Sequence, residues 1–204
     1  MKYLFGERLS FDWKTVTVTV VSTLLLMTDY YRQLTAHKYW DRVILYLLIP
    51  LLITVIFFRE NPREYGFTLG DWKLGITYTL LGILMMAPII YLLGSDNLAM
   101  QKYYERFLPG QPWVTFLDLL GWEFLFRGWI LFAYARKFGH EALWLQAVPF
   151  AIAHVSKPEI ETLSTIFGGF TFGWVAWRTK SFLYPFLIHW FIGTFIILVA
   201  AGVV

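Results

Sequence analysis

Residues 113–136 read WVTFLDLLGWEFLFRGWILFAYAR, an apolar run of membrane-crossing length with Glu123 and Arg127 at its centre. A helix rises about 1.5 Å per residue, so a hydrocarbon core about 30 Å thick takes about 20 mainly apolar residues. Glu123 then falls near mid-membrane, where an ionisable side chain left in lipid costs at least a few kcal/mol. Phe150-Ala151-Ile152-Ala153-His154 and Leu187-Ile188-His189 repeat the pattern, with imidazoles inside apolar stretches. Ionisable groups at that depth usually face a polar interior site.

Outward from this run, further candidate spans lie at roughly 14–31, 42–58, 73–94, 142–156, 160–177 and 182–203. With 113–136 they predict an all-α, polytopic transmembrane helix bundle of about seven spans. The run at 142–156 is short and is expected to tilt or turn back within the bilayer. Polar, Pro-containing or basic segments separate the runs, and no repeat or hydrophilic domain interrupts them, so 1–204 reads as a single membrane domain. The chain is 58% hydrophobic and 15% charged, against about 45–50% and about 25% in soluble domains. That balance marks an integral membrane protein in contact with membrane lipid.

The net charge of +3 needs no nucleic-acid partner. Without cysteine the chain has no disulfide, thiol nucleophile or thiolate metal site. The basic, aromatic segment from Met1 to Lys14, with Tyr3, Phe5, Phe11 and Trp13, reads as interfacial. No small-x-small cleavage site follows the run 15–28, which favours a signal anchor. With seven spans, Lys2, Arg8, Lys14, Arg59, Arg63, Lys73, Arg136, Lys137, Arg178 and Lys180 share one side. Arg32, Lys38, Arg42, Lys102, Arg106 and Lys157 share the other. This bias favours a cytoplasmic N-terminus in the plasma membrane.

Each polar residue has an ordinary reading as well as a chemical one. Glu123 and Arg127 are four apart, the spacing at which opposite charges meet on a helix, and could simply lock two helices together. His154 shares a face with Phe150 and Gln146, and either His154 or His189 alone would suit helix packing. Taken jointly, three separate runs each offer an ionisable group. A neutral imidazole can orient water or bind a metal, and a carboxylate can take water's proton. Gly169 and Gly173 suit close helix packing. Glu159 and Glu161, just after Pro158, suit a helix start.

In order and spacing, Glu123-Phe-Leu-Phe-Arg127-Gly128, Phe150-x-x-x-His154 and the segment from Gly168 to His189 resemble the CPBP family of intramembrane proteases. That family includes CAAX prenyl endopeptidases and bacteriocin-processing proteins, and the resemblance covers about residues 72–193. It implies a helical bundle whose polar residues converge on an enclosed cavity. It also implies hydrolysis of a membrane-associated or lipidated peptide or protein by water that a glutamate activates and histidines position. Glu123, Arg127, His154 and His189 are the catalytic candidates on that reading. Glu123, His154 and His189 could hold a divalent metal such as zinc with an open position, and they equally suit a metal-free mechanism.

Two positions depart from the family's pattern. Its first glutamate is Trp122 here, and its final asparagine is Gly193. Neighbouring helical residues point about 100° apart, so Glu123 replaces position 122 only on a rotated or distorted helix. Three outcomes stay open: Glu123 as base in a variant site, Glu159 or Glu161 folding back from the following loop, or a dead site. The rival function is a non-enzymatic subunit or scaffold of a larger membrane complex.

Overall fold

The computed structural model describes Gly6 and residues 9–204, so Lys2, Tyr3, Phe5 and Arg8 of the expected interfacial segment lie outside the described residues. Among the described residues there are helices and no strand. Helix α1 (Trp13–Tyr31) begins where the Asp12 carboxylate accepts the Thr15 N–H at 2.7 Å. Helix α2 (Lys38–Phe58) contains Pro50 between two π-helical stretches, Val43–Leu48 and Ile53–Phe58. Proline has no N–H to give the helix ladder, and local widening is one way to absorb that loss.

A short turn of helix, Pro62–Tyr65, leads to α3 (Trp72–Asp96), capped by Asp71, and then to the small helix α4 (Leu98–Tyr104), capped by Asn97. Helix α5 (113–138) runs as Trp113–Glu123, a π-helical stretch Phe124–Ile130, and Leu131–Phe138. Helices α6 (Ala142–Ile152), α7 (Glu159–Thr179) and α8 (Leu183–Ala200) complete the bundle.

The helices follow the apolar runs closely. Three of them, α2, α3 and α8, are long and apolar enough to cross a membrane on length and composition. Helix α5 is as long, but Asp118, Glu123 and Arg127 interrupt its apolarity. Helix α6 has 11 residues and reaches only about 16 Å at 1.5 Å per residue. That is short of a hydrocarbon core about 30 Å thick, and His154 lies two residues past its last residue, Ile152.

Ion pairs tie the helices together at two ends. At the first, Glu60 pairs with Lys14 (2.6 Å) and Arg136 (2.8 Å), and Arg136 also reaches Glu64 (3.2 Å). At the second, Arg42 of α2 joins Asp29 of α1 (3.3 Å) to Asp118 of α5 (2.5 Å). Lys14, Arg63, Arg136 and Lys180 gather at the first end, and Lys38, Arg42 and Lys157 at the second.

Lipid offers apolar side chains no gain from leaving water, so packing and close backbone approach hold such a bundle. The largest core is aromatic: Tyr46, Phe124, Phe126, Trp129 and Phe150 are almost fully buried between α2, α5 and α6. Gly121 lies against the Arg42 carbonyl, where a Cβ would collide with backbone. Gly169 and Gly173 do the packing expected of them against α6. A Cβ at Gly169 would stand 3.0 Å from Ala147, and Gln146 donates to the Gly169 carbonyl at 2.7 Å.

Candidate active site

Three helices bring the expected residues together. Glu123 and Arg127 point from α5 into the protein with 0% exposure each, so neither meets lipid. Arg127 Nη1 donates to Glu123 Oε1 at 3.0 Å, and His189 Nδ1, from α8, donates to that same oxygen at 2.6 Å. The guanidinium lies 3.8 Å from the centre of the Phe150 ring and 5.2 Å from that of Phe172. Aromatic faces there support a cation whose Nε and Nη2 have no oxygen partner.

His154 is held differently. Its Nδ1 donates to the Phe150 carbonyl at 2.7 Å, a bond inside the turn that ends α6. A carbonyl oxygen only accepts, so Nδ1 carries the proton and Nε2 keeps its lone pair. The same logic applies to His189 against an ionised Glu123. Neither Nε2 has a hydrogen-bond partner among the described residues, and both imidazoles line one cavity of about 850 Å³.

That cavity has distinct walls. Met86, Ile89, Leu93, Ile192 and Ile196 from α3 and α8 form an apolar side. Polar groups gather toward the second end: Lys38, Arg42 and Asp118, and across from them Lys157, Glu161 and Tyr104. Glu161 accepts from Lys157 (2.7 Å) and from the Tyr104 hydroxyl (2.5 Å). Burial first, and Glu161 second, push the Tyr104 phenol well above its ordinary pKa, so it stays a neutral donor.

Glu159 and Glu161 occupy the first turn of α7, as their ordinary reading held. Glu161 lines the cavity but is engaged by Lys157 and Tyr104. Trp122 sits beside the site, its ring 5.6 Å from His154 in an edge-on arrangement and 4.9 Å from the Arg42 guanidinium. Gly193 also lines the cavity, and a Cβ there would stand 3.0 Å from Thr115 Cγ2.

A metal held by Glu123, His154 and His189 does not fit this arrangement. Among the described residues no three His, Asp or Glu side chains form a metal-holding group. Arg127 and His189 both engage Glu123 Oε1, while Oε2 is buried without a hydrogen-bond partner.

Residues 106–195 match the family model described as type II CAAX prenyl endopeptidase Rce1-like. That segment, a little under half of the chain, is similar to the Rce1-like family. The match takes in α5 to most of α8, and so contains Glu123, Arg127, His154 and His189. No curated protein and no solved structure matches the chain. The matched segment supplies much of the cavity wall, from Phe107 to His189 and Gly193. Arg42, Lys38 and Met86, which also line it, come from outside the matched residues.

Sequence reasoning missed Tyr104, Arg42 and Asp118 as cavity residues. Lys157 and Glu161 carried a visible signal in their four-residue spacing. Arg42 and Tyr104 carried none, because their place depends on how α2 and α4 pack.

Proposed function

We propose that the chain is an Rce1-like membrane endopeptidase in which His189, oriented by Glu123, takes the proton of the attacking water. The observation that carries this reading is the 2.6 Å bond from His189 Nδ1 to Glu123. It fixes the tautomer and aims the Nε2 lone pair toward the cavity, as a carboxylate does for the histidine of a hydrolytic triad. Glu123 lies behind His189 rather than in the cavity wall, so we assign it to orientation instead of direct proton abstraction.

In this mechanism water approaches a peptide carbonyl held in the cavity, and His189 Nε2 accepts its proton as the C–O bond forms. The imidazolium is stabilised by the Glu123 carboxylate, which Arg127 Nη1 holds in place at 3.0 Å. As the tetrahedral intermediate collapses, the C–N bond breaks and His189 returns the proton to the leaving amine. His154 Nε2 accepts a hydrogen bond from the same water and fixes its direction. Lys157, which lines the cavity near His154, is the cationic donor available to a developing oxyanion.

The substrate class follows from the two walls. An apolar side and a polar, cation-bearing end suit a membrane-associated peptide with a lipid attachment. The name of the matched family points to a prenylated C-terminal segment. An N-terminus on the cytoplasmic side of the plasma membrane places the first, more basic end there.

One observation favours a second reading. Trp122 stands beside His154 where the motif has its first glutamate. The same cavity would then bind a lipidated peptide without cleaving it, as a membrane subunit.

The test uses the purified chain in lipid nanodiscs with a farnesylated peptide, and products are followed by mass spectrometry. Cleavage is expected, with kcat falling by about 10³–10⁴ in His189→Ala and Glu123→Gln, the scale seen when a triad's orienting acid is lost. Cleavage undiminished in both variants would remove the proposal. Binding without cleavage by the unaltered chain would establish the second reading.

A further inference from the structure

A second concavity lies at the opposite end of the bundle from the cavity mouth, where α5 and α7 finish and the Pro62–Tyr65 turn crosses them. It encloses about 320 Å³ and is lined by Arg63, Arg136, Lys180, Glu64, Trp177 and Phe132, with Ala135 at its floor. Three cations against one carboxylate give it a positive balance. Arg136 is already committed to Glu60 and Glu64. Arg63 and Lys180 have no carboxylate partner among the described residues, and both are exposed. The Lys180 ammonium lies 4.6 Å from the centre of the Trp177 ring, which holds it at the rim.

We propose that this groove binds the phosphate of an anionic phospholipid. The placement decides the ligand class. The groove sits where α5 and α7 finish, and Trp177 and Phe132 supply the apolar contact that the glycerol and upper acyl carbons need. Tryptophan at that depth prefers the headgroup region, and basic pockets between helices at a membrane surface are known to take anionic headgroups. Cations near helix C-termini also answer the helix dipole. That accounts for Arg136 and Lys180 separately, but not for their closure with Arg63 around one concavity. The proposal does not depend on hydrolysis at the cavity.

The experiment measures retention of phosphatidylglycerol and phosphatidylcholine on the detergent-purified full chain by native mass spectrometry. Phosphatidylglycerol is expected to be retained, phosphatidylcholine not, and Arg63→Gln/Lys180→Gln should weaken retention about tenfold. The charge-matched pair Arg59→Gln/Lys73→Gln, at the same end but outside the groove, should leave it unchanged. Equal loss in the two pairs would show a diffuse surface field and overturn the site. So would unchanged retention in Arg63→Gln/Lys180→Gln, or full displacement by inorganic phosphate, which would mark a free-anion site. Should the groove pair fail to fold, a photoactivatable phosphatidylglycerol on the unaltered chain decides the matter. Crosslinks to the Pro62–Tyr65 turn, α5 or Trp177 support the groove, and crosslinks confined elsewhere exclude it.

Discussion

At the scale of single residues, the buried Glu123–Arg127 pair is where most is at stake. Taking one partner away strands the other charge, at a cost of about 3–5 kcal/mol, whereas replacing both by groups of similar volume is often neutral. Arg127→Met should therefore lower the thermal midpoint in detergent sharply, and Glu123→Gln/Arg127→Met should recover most of it. The double variant should remain inactive on the farnesylated peptide, because His189 has lost its carboxylate; a stable and fully active double variant would contradict the orienting role. The pair itself was legible, since charges four apart inside an apolar run can hardly stay unpaired. The bond from Glu123 to His189 was not, because residues 66 apart in sequence meet only through the packing of α5 on α8. The sequence also left Trp122 as a bare departure, whereas packing shows it wedged between Arg42 and His154. A carboxylate there would sit beside both. Trp122→Glu is accordingly expected to raise hydrolysis, by direct comparison of kcat with the unaltered chain, and a fall would show that the indole is needed as packing.

At the scale of elements, α5 decides how the site is presented. A regular helix turns position 123 about 100° from position 122, and both lie in the α-helical part of α5, so Glu123 does not take the place of position 122. The π-helical stretch Phe124–Ile130 begins at the very next residue. Such widened turns recur at functional sites because they re-aim side chains. Nothing in the periodicity of an almost wholly apolar run could reveal it, since every register of that run is hydrophobic. The ends of the helices were far easier to read: Asp12, Asp71 and Asn97 accept from backbone N–H groups at helix starts, a local chemistry that needs no tertiary knowledge. Gly121 is the contact that seats α5 on α2. Gly121→Ala would push a methyl group into the Arg42 carbonyl, and overpacking of this kind costs about 1–3 kcal/mol. The expected result is a lower thermal midpoint together with weaker activity, because Arg42 and Trp122 shift with the helix. An unchanged midpoint would mean that the two helices separate easily, and that the close approach is dispensable.

At the scale of the whole molecule, the two ends of the bundle play different parts. The second end opens the cavity and carries its polar groups, while the first is stapled by one carboxylate. The segregation of basic residues into these ends could be read from the order of apolar runs alone. Which acid would gather them could not, because Lys14, Glu60 and Arg136 come from α1, the loop after α2, and α5 respectively. Burial raises the Glu60 pKa, but hydrogen bonds from Lys14, Tyr65 and Arg136 outweigh it and hold the carboxyl at about 2. A carboxylate depressed from the ordinary 4.5 stabilises the fold fully above that ordinary value, and the contribution drains away as pH falls toward about 2. Thermal melts of the detergent-solubilised chain should accordingly lose stability across that acidic window. Glu60→Gln should start lower at neutral pH and lose less on acidification, since it has no proton to take up there. Because Glu60 ties three separate segments, the loss should appear first as exchange of backbone amides in the Pro62–Tyr65 turn and at the end of α5. In Glu60→Gln at neutral pH the cavity end should keep its protection, because Arg42, Asp29 and Asp118 hold it independently of Glu60. If both ends loosened together in Glu60→Gln at neutral pH, the stapling of the first end would not be a separable unit, and the bundle would respond as a single cooperative body.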